Sequence, residues 1–337
     1  MRAMRKCKIR CGDQFEEPFV EAAESRIICI VGMHRSGTSM IARLLNLCGL
    51  HLGPPDRFLK ADAANPLGHF EHRGFLEIDR KLLKFFRATW REPPALQSGW
   101  QLDPKLEPLR AEAKALAATF AGKSPWGWKE PRASLFLPFW QEVIPSMRFV
   151  VCIRNPLEVA RSLEKRNKTP LHKGALLWYR YMRASIEDTE GRPRLFTFFE
   201  DFFNQGSSEI ERLLRFCDLP MSGDNSQLQS AIATELRHHT SAIRSLMEEP
   251  AVTPECKHFY LGLRAVLSTS SSDVQHHGDV REQESENVSA FMKLFKDFNA
   301  GNASSHSAAA WPEVNSRSGA DRATTRLRKL LTSLKRS

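Results

Sequence analysis

The sequence lacks any apolar run approaching the ~18–20 residues that cross a membrane. Its charged N-terminus is followed by no apolar segment of the kind that signal peptides carry. The 7 cysteines are scattered and odd in number, which disfavours a disulfide framework and indicates reduced thiols. No acidic cluster typical of a magnesium site occurs in the sequence, so no metal is predicted. These absences predict a cytoplasmic protein. Its 337 residues, with 42% hydrophobic content, are enough to form a large core.

The net charge of +10 is concentrated at the two ends of the chain. Residues 1–10 contain five Lys or Arg and no acid, and residues 321–337 contain six Lys or Arg and one acid. The body between them is balanced, so we predict no basic face for nucleic acid. Four leucines of the last segment share one helical face: Leu327, Leu330, Leu331 and Leu334. This pattern fits a weak contact with an anionic membrane surface and also a solvated tail, which we favour.

A loop rich in glycine and hydroxyl residues follows an apolar strand near the N-terminus. Residues 27–31 read IICIV, and residues 32–39 then read GMHRSGTS before a stretch with helical periodicity. Such a loop presents unpaired N–H groups and the positive end of a helix to one anion. The glycine spacing fits a nucleoside-triphosphate loop, but Thr38 stands where that loop needs a lysine, and the nearest cation is Arg35. We expect the loop to bind an anion at the 5′ end of a nucleotide in a way that differs from an ATPase.

A second strand-to-helix step lies far downstream. Residues 148–154 read RFVVCIR, a short buried strand, and Asn155 and Pro156 are typical of a helix start. Arg154 closes the strand, and Ser162 lies about two turns into the helix. Ligands of open α/β sheets bind at these strand ends, and an arginine can hold a phosphate with two hydrogen bonds. The alternative is a salt-bridged arginine beside a solvated serine.

Together, in this order, the two motifs resemble those of sulfotransferases that use PAPS (3′-phosphoadenosine 5′-phosphosulfate). The loop is similar to the arginine form found in tyrosylprotein and bacterial glycan-type enzymes. The resemblance implies that the loop binds the 5′-phosphosulfate and that Arg154 and Ser162 bind the 3′-phosphate. The loop residues assigned to the cofactor are His34, Arg35, Ser36, Gly37, Thr38 and Ser39.

A third segment extends the resemblance. Residues 126–132 read WGWKEPR and resemble a short strand that ends in Lys-Asp-Pro in this family, with Glu130 where aspartate is usual. The resemblance implies that Lys129 points into the site. A surface lysine is the alternative, because most lysines are exposed.

A fourth segment supplies the candidate general base. Residues 65–71 read NPLGHFE and resemble the family pattern N-P-x-G-x-[WF]-E, which makes Glu71 the candidate. Its neighbours His69 and His72 stay rivals, because histidine is the commoner base. A glycine at position 68 permits a tight turn that would bring Glu71 over the loop.

The resemblance implies transfer of a sulfuryl group from PAPS to an acceptor hydroxyl, with adenosine 3′,5′-bisphosphate as the product and no metal. Glu71 would take the proton, and Arg35 and Lys129 would stabilise charge on the leaving oxygen. By analogy the acceptor is a small molecule or a glycan, with a carbohydrate hydroxyl preferred. Two alternatives stay open: a P-loop kinase-like phosphotransferase, and an inactive protein that binds a nucleotide or a partner.

The pattern of elements predicts a three-layer α/β P-loop fold with a mostly parallel sheet, a helical insertion at 77–121 and basic tails. The predicted strands are 26–31, 126–129, 147–153 and 194–198. We predict a flexible basic arm at 1–25 and a sulfotransferase P-loop domain at 26–267. Residues 268–337 are predicted to hold a linker, a short amphipathic helix with apolar residues from Val288, and the basic tail, with disorder at 300–320.

Four tryptophans are candidates either for sugar-binding platforms or for core packing: Trp90, Trp100, Trp126 and Trp128.

Overall fold

A parallel sheet of four strands forms the centre of the computed structural model, which describes residues 26–62, 65, 67–221, 228, 232, 243–268 and 280–303. The strand order is β2-β1-β3-β4. The strands are β1 (Ile27–Val31), β2 (Trp126–Lys129), β3 (Arg148–Ile153) and β4 (Arg194–Phe198). All pairings are parallel, so the predicted strands and sheet type are confirmed.

Helices connect and cover the strands. In chain order they are α1 (Thr38–Leu47), α2 (Arg73–Phe85), α3 (Glu107–Ala118), α4 (Leu137–Val143), α5 (Pro156–Asn167), α6 (Leu171–Glu187), α7 (Asp201–Asn204), α8 (Gly206–Phe216), α9 (Ile243–Glu248), α10 (Pro254–Ser268) and α11 (Val280–Ala303). Short 3₁₀ turns lie at Pro55–Arg57, Trp100–Leu102, Pro104–Leu106 and Pro131–Leu135.

The alternation of strand side chains produces two cores, one on each face of the sheet. In β1, Cys29 and Val31 join the larger core, and Ile28 and Ile30 join the smaller one. Helices α1 and α8 cover the smaller core, while α2 to α6 and α9 to α11 contribute to the larger core. The strands are therefore buried on both faces, as parallel sheets require. This confirms the three-layer α/β arrangement.

The last described helix differs in extent from the prediction. Helix α11 spans 24 residues, and Val288, Phe291 and Phe295 pack into the larger core as the apolar spacing predicts. The predicted disorder is wrong for residues 300–303, which are helical. The turns of α11 before Val288 are mostly polar and rich in the good helix formers Glu and Gln. They therefore lack the apolar periodicity from which the helix was predicted.

Several predictions lie outside the described residues. These are the basic arm at 1–25, most of the linker after 268, and the basic C-terminal tail. The boundary at residues 267 and 268 stays a prediction. Among the described helices, none combines the length and apolar content needed to span a bilayer.

The sheet brings the predicted site residues to one edge. Strand β1 lies between β2 and β3, and its register pairs Ile30 with Lys129 and Val31 with Val151. Because the strands are parallel, the loop after β1, Lys129 at the end of β2 and Arg154 after β3 share the carboxyl edge of the sheet.

Candidate functional site

The anion loop, residues 32–39, is shaped by its two glycines. Gly37 is the N-cap of α1 with φ 87°, and a Cβ there would lie 2.3 Å from the Phe199 ring. Gly32 has φ 139°, and a Cβ there would lie 2.5 Å from the Cys152 carbonyl oxygen. Any other residue is therefore strained at both positions. Since glycine provides no side-chain cap and the first turn of α1 has no acid, the N–H groups of that turn are available to an anion.

Two buried polar atoms of the anion loop, His34 Nε2 and Ser36 Oγ, lack a hydrogen-bond partner among the described residues. Burial lowers the pKa of His34 well below its usual range, and the cations Arg132 and Lys129 lower it further. His34 is therefore neutral at pH 7, with one ring nitrogen free to accept or donate. Buried polar groups are normally satisfied, so both atoms indicate a polar ligand at the loop.

Arg35 has a left-handed backbone, with φ 73°, and donates from Nε to Ser162 Oγ at 2.8 Å. Burial lowers its pKa to about 10, with further lowering by Arg166 and Arg154. The guanidinium therefore remains charged at neutral pH. The contact joins two residues that the sequence placed in separate motifs.

Lys129 and Glu71 form a buried ion pair beside the anion loop. Lys129 Nζ donates to Glu71 Oε1 at 2.7 Å and to Ser39 Oγ at 3.1 Å. The side chains are 1% and 8% exposed. Burial raises the pKa of Glu71, but the attraction and hydrogen bond of Lys129, helped by Arg132, outweigh it and hold the pKa below its ordinary value. Glu71 is therefore ionised at neutral pH.

The two histidines that flank Glu71 have other contacts. His72 Nδ1 accepts from Gly74 N–H at 3.2 Å and so caps α2, and its ring lies against Phe75 and Phe120. His69 Nε2 lies 3.2 Å from Asp62 Oδ2, and its carbonyl accepts from Ser39. Of the three candidate bases, Glu71 is the one in contact with Lys129.

The arginine site consists of Arg154, Glu158 and Ser162. Arg154 donates from Nε and Nη2 to Glu158 Oε2 at 3.0 and 2.9 Å, and from Nη1 to the Arg35 carbonyl at 3.0 Å. Its guanidinium lies 4.3 Å from the centre of the Phe199 ring. The salt bridge that the sequence left as an alternative is therefore present, and Ser162 contacts the anion loop instead of solvent. The sequence reasoning missed Glu158, although its i,i+4 spacing from Arg154 is a usable signal.

Two further buried acids, Glu130 and Asp79, interact electrostatically with Glu71, and neither had a role in the sequence-based prediction. Burial, aided by the Glu71 charge, raises the pKa of Glu130 to about 7, although its Oε1 accepts from Arg132 N at 3.0 Å. Burial also raises the pKa of Asp79 well above its usual range, and Asp79 accepts from Trp140 Nε1 at 2.9 Å. Glu130 is therefore mainly protonated below pH 7, and burial favours the neutral form of Asp79 as well, whereas Glu71 stays ionised in contact with Lys129.

The tryptophans divide between core and site. Trp126 and Trp128 are buried, and Trp128 stacks on Phe75 at 4.6 Å, so both are core residues. Trp100 packs on Phe136. Trp90 alone of the four lies against the anion loop, with its ring 4.8 Å from that of His34. It also lines an open pocket of about 760 Å³ that Arg132 shares.

The donor set fits two phosphate-like groups. One set of donors is at the anion loop, where the helix start is uncapped, Arg35 is part of the loop and Lys129 contacts Ser39. Arg154, which contacts the Arg35 carbonyl, adds a second guanidinium. Within the described ranges, no three His, Cys, Asp or Glu side chains are grouped to hold a metal ion.

The chain is similar to one protein family and to several solved structures. The model of the sulfotransferase family matches residues 28–223. No curated protein matches the chain. A sulfotransferase domain from the Synechococcus PCC 7002 olefin synthase is 15% identical, with 79% of this chain and 94% of that chain covered and a TM-score of 0.38. A sulfotransferase domain from the curacin biosynthetic pathway is 13% identical, with coverages of 80% and 98% and a TM-score of 0.41.

A third structure, a retinol dehydratase in complex with androsterone and the inactive cofactor PAP, is 13% identical, with coverages of 86% and 83% and a TM-score of 0.31.

Proposed function

Because the chain belongs to the sulfotransferase family, we propose that it transfers a sulfuryl group from PAPS to an acceptor hydroxyl. The observation that carries this proposal is the meeting of three groups at one sheet edge: the uncapped anion loop, the Lys129–Glu71 pair and Arg154. A single phosphate would need only the first of these. A ligand with a 5′-phosphosulfate and a 3′-phosphate accounts for the first and the third.

The anion loop is proposed to hold the 5′-phosphosulfate. An oxyanion there can accept hydrogen bonds from the loop N–H groups, the unpartnered Ser36 hydroxyl and the Arg35 guanidinium. Arg154 is proposed to hold the 3′-phosphate, together with Ser162. Before the nucleotide binds, Glu158 forms an ion pair with Arg154 and neutralises its charge.

PAPS supplies the sulfuryl group. In the transfer, a bond forms between the acceptor oxygen and sulfur, and the bond between sulfur and the 5′-phosphate oxygen breaks. Glu71 takes the hydroxyl proton, and Lys129 and Arg35 stabilise the negative charge on the departing oxygen. Lys129 contacts Oε1 of Glu71, which leaves Oε2 for the acceptor. The lowered pKa keeps Glu71 ionised and ready to accept a proton across neutral pH.

The acceptor is proposed to be a small molecule or glycan with a carbohydrate hydroxyl, by analogy with the glycan-type sulfotransferases whose anion loop this one resembles. Trp90 adds an aromatic wall close to His34, where such a ligand would approach.

Transfer of labelled sulfate from PAPS to a panel of hydroxyl acceptors tests the proposal, with Arg35→Ala as the blank. We expect transfer by the native protein in the presence of EDTA and none by the variant. A parallel assay uses ATP labelled in the γ-phosphate with Mg²⁺. Magnesium-dependent phosphoryl transfer without sulfuryl transfer would assign the chain to the kinase alternative instead.

A further inference from the structure

The pocket beside Trp90 is lined on one side by cations. Arg80 and Lys84 lie on α2, Arg87 follows the helix, and Arg132 follows β2. None of the described residues that line the pocket is acidic. Its volume of about 760 Å³ lies in the range of ~300–1,000 Å³ typical of small-ligand sites.

The cations differ in how far they are neutralised. Arg80 pairs with Glu77 at 2.7 Å, and Arg132 pairs with the buried Glu130 at 2.5 Å. Lys84 and Arg87 are exposed and form no ion pair with any part of the chain that the structure describes. The pocket therefore holds two uncompensated positive charges, and these attract an anion.

The pocket adjoins the reaction site. Trp90 lines the pocket and contacts His34 of the anion loop, and Arg132 lines the pocket while its charge acts on Glu71. Leu83, Ala88 and Trp90 supply apolar surface beside the cations. Trp90 and Arg132 thus connect the pocket to the anion loop and to Glu71.

On these grounds we infer that the acceptor is anionic: a hydroxyl compound whose carboxylate or sulfate binds Lys84 and Arg87 in this pocket. The inference rests on the proposed function and names the substrate class of the same site. A purely structural role for the cations is the competing explanation, because positive side chains near the C-terminal end of a helix stabilise its dipole.

The test uses a panel of glucuronate-containing oligosaccharides, each supplied as the free acid and as the methyl ester, which removes the charge and keeps the hydroxyls. The double variant Lys84→Gln, Arg87→Gln is compared with native protein and with the control Lys81→Gln. Lys81 lies on the same helix but pairs with Glu112 of α3, outside the pocket.

We expect native protein to prefer the acids, with a KM advantage that shrinks as salt is added. In the double variant the KM for the acids should rise about three- to tenfold, as for two partly exposed ion pairs, while the KM for the esters changes little. Lys81→Gln should match native protein. Equal use of acids and esters, or a lower melting temperature without a change in preference, would overturn the inference.

Binding measurements separate this inference from the proposed function. Calorimetry gives the affinity for adenosine 3′,5′-bisphosphate, which the double variant should leave unchanged. A weakened bisphosphate affinity would assign the cations to the nucleotide and refute an acceptor role. If no panel member is sulfated, binding of acids and esters to the bisphosphate-loaded protein decides the inference. Tighter binding of the acids supports it, and equal or undetectable binding of both forms overturns it.

Discussion

Two buried ion pairs, Lys129–Glu71 and Arg154–Glu158, lie at the same sheet edge with N···O distances of 2.7 and 2.9 Å. Their exposure is reversed. In the first pair the carboxylate is the more accessible partner, at 8% against 1% for the lysine, and in the second the arginine is, at 8% against 1% for the glutamate. The more exposed partner of each pair has the larger surface available to a ligand. The first ion pair thus offers a carboxylate that can act as a base, and the second offers an arginine that can donate hydrogen bonds to a phosphate.

The N-termini of the two helices beside these pairs also differ, in whether a side chain caps them. The N-cap of α1 is Gly37, which has no side chain to cap the helix, whereas the N-cap of α5 is Asn155, whose Oδ1 accepts from Leu157 N–H at 3.0 Å. Glu158 also places an acid in the first turn of α5. The N-terminus of α5 is therefore satisfied by its own residues, and anion binding there depends on the side chain of Arg154.

The comparison is tested most strongly by Glu71→Gln, matched with Glu158→Gln. We expect kcat for sulfate transfer to fall by about 10²-fold or more in the first variant, because a general base contributes on that scale. In the second variant kcat should change little, since Glu158 neutralises Arg154 and takes no proton. Steady-state kinetics measures both.

Bisphosphate affinity is the control for these variants and should persist in Glu71→Gln. Near-normal turnover of Glu71→Gln, with loss in His69→Gln or His72→Gln, would move the base to a histidine.

The next largest effect concerns the arginine site. The double variant Arg154→Gln, Glu158→Gln removes both charges and so leaves no buried carboxylate unpaired. Its affinity for adenosine 3′,5′-bisphosphate should fall about ten- to a hundredfold, the value of one lost charge-assisted phosphate contact, while its affinity for AMP stays the same. Calorimetry with both nucleotides measures this. If native protein binds AMP as tightly as the bisphosphate, Arg154 has no 3′-phosphate to bind.

The helix starts give a smaller and reciprocal pair of effects. Asn155→Ala should lower the free energy of unfolding by about 1 kcal/mol through loss of the cap and leave bisphosphate affinity intact. Gly37→Ala should weaken bisphosphate binding by about tenfold, because an alanine is strained at positive φ and its Cβ meets Phe199. Urea unfolding and calorimetry on both variants separate the two effects. A stability loss without an affinity loss in Gly37→Ala would contradict the proposed role of the α1 start.

The smallest effect is on the pH profile. Glu71 has a pKa below its ordinary value of about 4.3, so its carboxylate stays ionised and kcat should hold from pH 8 to about pH 5. Glu130, with a pKa of about 7, loses its proton within that range and should add a shallow inflection. Glu130→Gln should remove the inflection.

A steep fall below about pH 6.5 is the outcome that contradicts this profile. If such a fall persists in Glu130→Gln and disappears in His69→Gln, the base is His69.

The sequence by itself determined the parallel sheet and the edge of that sheet at which the predicted site residues meet. Short apolar strands alternating with helical stretches allow few arrangements, and each of Lys129 and Arg154 ends a strand or follows one directly. Since parallel strands end at one edge, the meeting of these residues follows from the order of elements. Glu71 was selected by the resemblance, and its position beside Lys129 agrees with that choice.

Only the tertiary structure decided which acidic residues are buried and which cations lie beside them. Nothing in the sequence distinguishes Glu71, Asp79 and Glu130 from other acidic residues. The pKa of Glu71 is lowered while those of Asp79 and Glu130 are raised, because the three differ in burial and in the charges near them. The sequence also did not indicate that the cations of α2 line a pocket together with Trp90 and Arg132, because Trp90 and Arg132 belong to other segments of the chain. Local sequence sets backbone preference, but desolvation and charge pairing depend on contacts between distant segments, and these exist only in the folded chain.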